Sequence, residues 1–233
     1  MGKDVIIALD FKDKETTLQF LDKFKEKKPF VKIGMELFYS EGPEIVKQIK
    51  ERGHKIFLDL KLHDIPNTVE KAMQSIARLD VDMVNLHAFG GIAMMQAGLK
   101  GLRSSSGFNP ILIAVTQLTS TDQEVMEKEI LIEKPLKEVV KEYALNAKKA
   151  GLQGVVCSPL EAQYIHKECG DDFYTVTPGI RFSDDTNDDQ KRITTPSKAK
   201  EIGSDYIVVG RPITKADDPV EAYNYCIKEF LGE

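Results

Sequence analysis

The segment Ile56-Phe57-Leu58-Asp59-Leu60-Lys61-Leu62-His63-Asp64 changes from an apolar run into a charged loop. Its start is typical of a β-strand, in which side chains two residues apart point to the same side. Asp59 and Lys61 are therefore expected to point together toward one spot, with the carboxylate of Asp64 following in the loop. Because fixed charges are costly to bury unless they pair, this group is interpreted as a reactive centre rather than as a source of stability.

Short apolar runs of this kind recur along the chain, and segments with helical periodicity, such as 136–147, separate them. Gly53, Gly151 and Gly203 follow the ends of three helical segments, in the position where glycine commonly terminates a helix. The apolar runs predict eight strands, at 5–9, 30–33, 55–60, 83–86, 111–115, 154–157, 174–176 and 206–209.

The regular alternation of strands and helices predicts the fold class. Such a pattern implies an α/β protein with parallel strands and right-handed crossovers. Eight units close into a (β/α)8 TIM barrel, here as a single domain over residues 1–233. A doubly wound sheet is the alternative, but Asp10-Phe11-Lys12 follows the first strand in place of a glycine-rich dinucleotide-binding turn.

Composition excludes several classes of function. The net charge of −5 argues against nonspecific binding of nucleic acid, which needs a basic surface. No window of the sequence reaches the roughly 18 apolar residues that a membrane span requires. Cys157, Cys169 and Cys226 form no CxxC pair, so they are interpreted as reduced thiols of a cytoplasmic protein.

The active site of a TIM barrel lies at the C-terminal ends of its strands. In this chain those ends carry many polar and ionisable residues, which is the distribution that a barrel enzyme needs. A lysine near carboxylates stays protonated, so Lys61 suits a general acid better than a Schiff-base nucleophile. The residues at the strand ends are Asp10, Lys32, Asp59, Lys61, Asn85, His87, Thr116, Gln117, Thr119, Arg181 and Arg211.

The loops after strands seven and eight indicate a phosphate site. Gly179 and Gly210 let backbone N–H groups approach an anion closely, and the neighbouring Arg181 and Arg211 can each hold two of its oxygens. The alternative is a pair of ordinary turns with surface arginines. A long polar stretch at 181–195 follows strand seven and is either a working lid or a disordered insert.

The histidines do not indicate a metal site. They show neither HxxxH nor HxH spacing, so structural or loop roles are favoured over metal ligation. These residues are His54, His63, His87 and His166.

The pattern Asp59-x-Lys61-x-x-Asp64-Ile65-Pro66-Asn67-Thr68 resembles the signature of the orotidine 5′-phosphate decarboxylases. The resemblance extends over essentially the whole chain and is closest to the compact bacterial form. Asp-x-Lys-x-x-Asp alone is shared with related sugar-phosphate enzymes, whereas the extended signature is specific. Supporting matches are Ala8-Leu9-Asp10, Lys32-Ile33-Gly34, Asn85-x-His87, Thr177-Pro178-Gly179-Ile180-Arg181 and Val209-Gly210-Arg211-Pro212.

The resemblance implies decarboxylation of orotidine 5′-phosphate to UMP and CO2, the last step of pyrimidine synthesis, without metal or organic cofactor. It also implies a homodimer whose sites lie at the interface. Asp59 is expected near the substrate carboxylate, where it holds Lys61, which protonates C6 of the pyrimidine. Asp64 and Thr68 are expected to reach into the partner's site.

The same resemblance assigns substrate-binding residues. Asp10 and Lys32 are expected to bind the ribose hydroxyls, with Lys32 also part of the catalytic set, and Thr119 to contact the amide edge of the pyrimidine. Gln190 is expected to lie on the lid. The residues expected to hold the phosphate are Arg181, Gln190, Gly210 and Arg211.

Elementary chemistry agrees with this reading. Loss of CO2 leaves a carbanion at C6 that no ring orbital delocalises, and a fixed ammonium can stabilise and then protonate it. Placing Lys61 between Asp59 and Asp64 would fix its position and charge before substrate binds. The alternatives are a magnesium-dependent sugar-phosphate enzyme of the same superfamily, with Glu36 as a conceivable ligand, and a catalytically silent ligand-binding protein.

Overall fold

Eight parallel strands form a closed barrel in which each strand pairs with its neighbours in sequence order, and β8 pairs with β1. The structure is a computed structural model that describes residues 3–104, 109–182 and 193–232. The predicted (β/α)8 barrel is therefore confirmed. The strands are β1 Asp4–Ala8, β2 Phe30–Gly34, β3 Ile56–Leu62, β4 Met83–His87, β5 Ile111–Val115, β6 Gly154–Val156, β7 Tyr174–Thr177 and β8 Tyr206–Val209.

Helices connect the strands and pack around the barrel. Gly53, Gly151 and Gly203 have φ angles of 86°, 86° and 92°, so they end helical segments in the left-handed conformation that glycine adopts readily, as predicted. The helices are α1 Lys14–Leu21, α2 Met35–Glu41, α3 Pro43–Glu51, α4 Pro66–Ile76, α5 Gly91–Arg103, α6 Gln123–Lys128, α7 Leu136–Lys149, α8 Ala162–Cys169, α9 Pro196–Ile202, α10 Arg211–Thr214 and α11 Pro219–Leu231.

Two apolar clusters hold the barrel together. One fills its interior and includes Phe57 and Ile113; the other lies between strands and helices and includes Leu58 and Leu112. Consecutive residues of a strand thus belong to different clusters, as the two-residue period of a strand requires. This alternation sends the side chain of Asp59, two residues after Phe57, toward the barrel interior.

None of the described helices has both the length and the apolar character needed to cross a lipid bilayer.

Candidate active site

Four side chains of alternating charge form a continuous series of ion pairs at the mouth of the barrel, near the ends of β1, β2 and β3. The Lys32 Nζ lies 3.2 Å from Asp10 Oδ1 and 3.4 Å from Asp59 Oδ2. The second oxygen of Asp59, Oδ1, lies 2.8 Å from Lys61 Nζ. Asp59 and Lys61 therefore share one side of β3, as predicted. We call Asp10, Lys32, Asp59 and Lys61 the charged ladder.

The backbone of β3 is irregular at Lys61. Its φ angle of 52° lies in the left-handed region, which residues with a Cβ rarely adopt. The pairing of β3 with β4 also shifts register between Leu58 and Leu62. The amide N–H of Lys61 donates to Asn85 Oδ1 over 2.8 Å, so the irregular residue keeps a hydrogen-bond partner. Strained residues that their surroundings hold in place cluster at functional sites.

Asn85 links Asp59 and Lys61 from the neighbouring strand. This residue of β4 is fully buried, and its Nδ2 donates to Asp59 Oδ1 over 2.6 Å. Because Asn85 Oδ1 accepts from Lys61, one amide orients both members of the pair. The sequence placed Asn85 at a strand end, but its role follows from contacts between strands that no local pattern encodes.

The two buried members of the ladder, Asp59 and Lys32, favour each other's charged form. Burial by itself raises the pKa of Asp59, but Lys32, Lys61 and the hydrogen bond from Asn85 outweigh it, so the pKa of this carboxyl lies below its usual range. Burial by itself lowers the pKa of Lys32, but Asp59 and Asp10 raise it, and the net direction is upward. Both shifts favour an ionised Asp59 beside a protonated Lys32.

The charged ladder lines a cavity of about 600 Å³ at the C-terminal face of the barrel, where sequence reasoning placed the active site. This size suits a small-molecule ligand. Apolar side chains from the strand ends provide the floor, so the cavity offers both a charged wall and a surface for an apolar ring. The apolar lining residues of the barrel strands are Ala8, Phe57, Val115, Val156 and Val208.

The residues predicted to bind phosphate line the same cavity. Gly179, Arg181, Gly210 and Arg211 reach it from the loops after β7 and β8. Gly179 has a φ angle of 86°, a conformation that favours glycine. Arg181 is 9% exposed, and its Nη1 donates to the carbonyl of Ile180 over 2.9 Å. The structure therefore brings the glycines and arginines of two consecutive loops to the cavity that the charged ladder lines.

Lys215 is a lining residue that the sequence analysis did not single out. Its N–H donates to the carbonyl of Arg211 over 3.0 Å, so it lies one helical turn further along the chain. The signal in the sequence that could have identified Lys215 was its position four residues after Arg211 of the Gly210-Arg211 pair. Among the described lining residues there are five cationic and two acidic side chains, a surplus of three positive charges in a chain of net charge −5.

Asp64 and Thr68 lie away from the cavity of their own chain. Both residues are exposed, and Asp64 Oδ1 accepts from the N–H of Ile65 over 2.6 Å. Within the described part of the chain, no ion pair joins Asp64 to Lys61. Asp64 therefore does not flank Lys61 within one chain, and the expectation that Lys61 lies between Asp59 and Asp64 stays a prediction for the expected homodimer. The lysine that lies between two carboxylates is Lys32.

The loop after β5 contributes Gln117, Thr119 and Ser120 to the lining, together with Cys157 after β6. Thr119 is half-buried at the position where a contact with the pyrimidine was expected. Of these residues, Ser120 and Cys157 were not anticipated at the site.

The polar stretch at 181–195 is described only at its ends. The N–H of Arg181 donates to the carbonyl of Thr194 over 2.9 Å, and the N–H of Thr194 donates to Gly179 over 3.0 Å. These bonds join the two ends of the stretch beside the cavity. Gln190, which was expected on a lid, lies outside the described residues.

Two of the histidines bind backbone groups at the opposite end of the barrel. His54 Nδ1 lies 2.9 Å from the carbonyl of Pro29, and His166 Nε2 lies 3.0 Å from the carbonyl of Gly203. His63 and His87 pack against each other with ring centroids 5.9 Å apart. Across 3–104, 109–182 and 193–232, no three His, Cys, Asp or Glu residues are grouped in a way that could hold a metal ion.

Comparisons with known proteins agree on one family. Residues 3–225 match the family model described as Orotidine 5′-phosphate decarboxylase / HUMPS family. The chain is 57% identical to an orotidine 5′-phosphate decarboxylase from Bacillus cytotoxicus over 235 aligned positions, which cover 100% of this chain and 99% of that protein.

Solved structures give the same result. A crystal structure of orotidine 5′-phosphate decarboxylase from Lactobacillus acidophilus superimposes with a TM-score of 0.88 and 44% identity, covering 98% of this chain and 99% of that one. An uncharacterized conserved protein from Geobacillus kaustophilus superimposes with a TM-score of 0.87 and 48% identity, covering 97% and 99%.

Proposed function

The chain belongs to the orotidine 5′-phosphate decarboxylase / HUMPS family, and we propose that it is the decarboxylase that converts orotidine 5′-phosphate to UMP and CO2 in pyrimidine biosynthesis. The observation that carries the proposal is the presence of the charged ladder and of three further cations, Arg181, Arg211 and Lys215, in the lining of one cavity. The ladder supplies the reactive groups, and the three further cations supply the anchor for a phosphorylated substrate.

The charges of the cavity complement those of this substrate. The two acidic and two basic side chains of the ladder cancel, so Arg181, Arg211 and Lys215 provide the surplus of three positive charges. A phosphate monoester carries about −1.5 to −2 charges at neutral pH, and the carboxylate at C6 adds one more. The cavity therefore favours capture of this substrate although the whole chain is acidic.

Lys61 is the proposed proton donor. When the bond between C6 and the carboxylate breaks, its electron pair stays on C6 and CO2 departs. The nearby ammonium stabilises this carbanion electrostatically and then transfers a proton from Nζ to C6, which completes UMP. Two features support this role, because the contact with Asp59 and the hydrogen bond to Asn85 both fix the residue before substrate arrives.

Asp59 has two proposed roles. It holds Lys61 in position, and its negative charge lies near the site of the substrate carboxylate, where repulsion raises the energy of the bound substrate relative to the transition state. The lowered pKa of Asp59 supports the second role, because a carboxyl group that remains ionised keeps its repulsive charge. Lys32 shares the other oxygen of Asp59 and so prevents the carboxylate from turning away.

Ribose and base binding are assigned to the remaining polar groups. Asp10 and Lys32 form an ion pair at the end of the ladder where both can reach ribose hydroxyls. Thr119 lies in the loop after β5 and is proposed to contact the amide edge of the pyrimidine. The stretch at 181–195 is proposed to close over the phosphate, with Gln190 as a contact.

The reaction is proposed to need neither metal nor organic cofactor. Both carboxylates in the described lining, Asp10 and Asp59, already contact the Lys32 ammonium, which argues against a divalent ion between them. Glu36, the ligand considered for a magnesium-dependent relative, is exposed in the first turn of α2 and is not a lining residue.

The active form is proposed to be a cytoplasmic homodimer in which Asp64 and Thr68 complete the partner's site. Their exposure supports this arrangement, since neither residue serves its own cavity. The adjacent Ile65 is 66% exposed and offers apolar surface to a second copy. The cysteines are buried and without disulfides, as expected for a reducing compartment.

Purified protein mixed with orotidine 5′-phosphate and excess EDTA is expected to convert it to UMP at the same rate as protein without EDTA. The reason is that ammonium groups, not a metal ion, stabilise the carbanion. The loss of substrate absorbance gives the rate, and chromatography identifies UMP. A heat-inactivated sample serves as the control for spontaneous decay.

Two outcomes would redirect the assignment. Turnover of a six-carbon sugar phosphate with magnesium, and none of orotidine 5′-phosphate, would favour the magnesium-dependent branch of the family. Tight UMP binding without any turnover would favour a ligand-binding protein on the same scaffold.

A further inference from the structure

Within residues 3–104, 109–182 and 193–232, the side-chain amide of Gln117 has no hydrogen-bond partner. The residue is 8% exposed and lines the cavity. Its amide is not among the buried polar groups without a partner, so its polar atoms remain accessible from the cavity, whereas most polar groups of a largely buried side chain are hydrogen-bonded. Its placement therefore indicates a partner that enters the cavity from outside.

Gln117 follows β5 by two residues and lines the same cavity as the end of that strand. Ile111 and Ile113 of β5 belong to the apolar cluster inside the barrel, and Val115 lines the floor of the cavity. Gln117 therefore adds an amide to the lining directly above an apolar strand end.

The position of Gln117 around the barrel identifies the part of the substrate that it faces. In the proposed function, the reacting C6 lies near Lys61 on β3 and the ribose lies near Lys32 on β2, the two lysines that contact Asp59. In a pyrimidine, N3 and C4 lie across the ring from the bond between N1 and C6. That edge is therefore directed across the barrel mouth, toward the strands that follow β4, and Gln117 stands at the end of β5.

We propose that Gln117 is a specificity-determining residue that hydrogen-bonds the amide edge of the pyrimidine, a role that rests on the proposed function. Its Oε1 accepts from N3–H while its Nε2 donates to the neighbouring ring carbonyl. A side-chain amide is well suited to this edge because it presents one donor and one acceptor side by side. Thr119, which is proposed to contact the same edge, adds a single hydroxyl.

The test compares Gln117→Met with the wild type. Methionine keeps the length of the side chain and removes both polar atoms. The inhibition constant of UMP is expected to rise by about tenfold, as for loss of one or two neutral hydrogen bonds. The inhibition constant of ribose 5-phosphate, which lacks the base, is expected to stay within about twofold.

The thermal midpoint of the empty protein separates recognition from structural support. Because the amide has no partner among the described residues, Gln117→Met is expected to leave the midpoint unchanged or raise it. A residue that supports the fold would lower the midpoint and weaken both ligands together. Gln117→Asn is a second variant, since it keeps the amide but withdraws it by one methylene, and it should also weaken UMP selectively.

The outcomes are distinguishable from failure of the proposed function. If the wild type neither binds UMP nor decarboxylates orotidine 5′-phosphate, the proposed function is wrong. If the wild type does both and the two variants bind UMP as tightly as it does, only the assignment of Gln117 is wrong. Equal weakening of UMP and ribose 5-phosphate would also overturn the assignment.

Discussion

Replacement of Lys61 by alanine is expected to lower the turnover of orotidine 5′-phosphate by at least ~10⁴-fold, while UMP still binds. Without the ammonium, the carbanion loses both its electrostatic stabilisation and its proton donor. Electrostatic stabilisation by one preorganised donor is worth roughly 10²–10³-fold, and general acid catalysis roughly 10²–10⁴-fold. No other described cation contacts Asp59 Oδ1 at the position of Lys61, so the protein has no substitute for it.

The measurement is single-turnover decarboxylation at high enzyme concentration, together with UMP affinity by calorimetry. Lys167→Ala is the matched control, because Lys167 is exposed at the end of α8 and is not among the lining residues. It should retain the wild-type rate. A rate for Lys61→Ala within about tenfold of the wild type would contradict the proposed role, since a donor of this kind contributes far more.

Replacement of Arg211 by alanine is expected to lower kcat/KM for orotidine 5′-phosphate by ~10²–10³-fold. Arg211 is one of the three cations of the cavity lining outside the ladder, and loss of a close, desolvated charge partner commonly costs about 2–5 kcal/mol. The phosphate is remote from C6, so its binding energy is available to hold the reactive ring against the ladder. Loss of the anchor should therefore reduce kcat/KM although Arg211 takes no part in the chemistry.

The phosphate-free nucleoside orotidine provides the internal control for Arg211. Orotidine should be a much poorer substrate of the wild type, and Arg211→Ala should change its already low kcat/KM little, because orotidine lacks the phosphate that Arg211 is proposed to bind. Arg78→Ala, at an exposed arginine outside the cavity lining, should leave both substrates unaffected. Equal losses for orotidine and its phosphate would indicate that Arg211 supports the fold instead of the phosphate.

The barrel was predictable because each strand is a short apolar run between helical segments. The largest boundary difference is at β3, which was predicted at 55–60 and spans Ile56–Leu62. Leu60 and Leu62 pack against the outer apolar cluster, so the strand continues beyond the point where its charges begin. Tertiary packing thus extends β3 two residues beyond the end that local hydrophobicity predicted.

The location of the site was also predictable, because the C-terminal ends of parallel strands converge on one face. The pattern of ion pairs inside the site was not predictable. Lys32 lies between Asp10 and Asp59 because three neighbouring strands set their ends side by side, a relation that depends on register. The left-handed backbone of Lys61 was hidden from sequence reasoning because patterns of hydrophobicity carry no information on strain.

Lys215 shows what single-residue patterns miss, and Gln117 shows a residue that they located without assigning it a role. A lysine in a charged surface sequence and a glutamine after a strand are unremarkable by type alone. Their significance comes from position, since Lys215 follows Arg211 by one helical turn and Gln117 lines the cavity just beyond β5. Both residues acquire a role only once the cavity is defined.

One measurement tests the central claim most directly: wild-type turnover of orotidine 5′-phosphate in D2O with excess EDTA, with the product analysed by mass spectrometry and NMR. The account predicts rapid formation of UMP that carries one deuterium at C6, because the ammonium that protonates the carbanion exchanges with solvent. Absence of UMP, or its formation only after magnesium is added, would contradict the account.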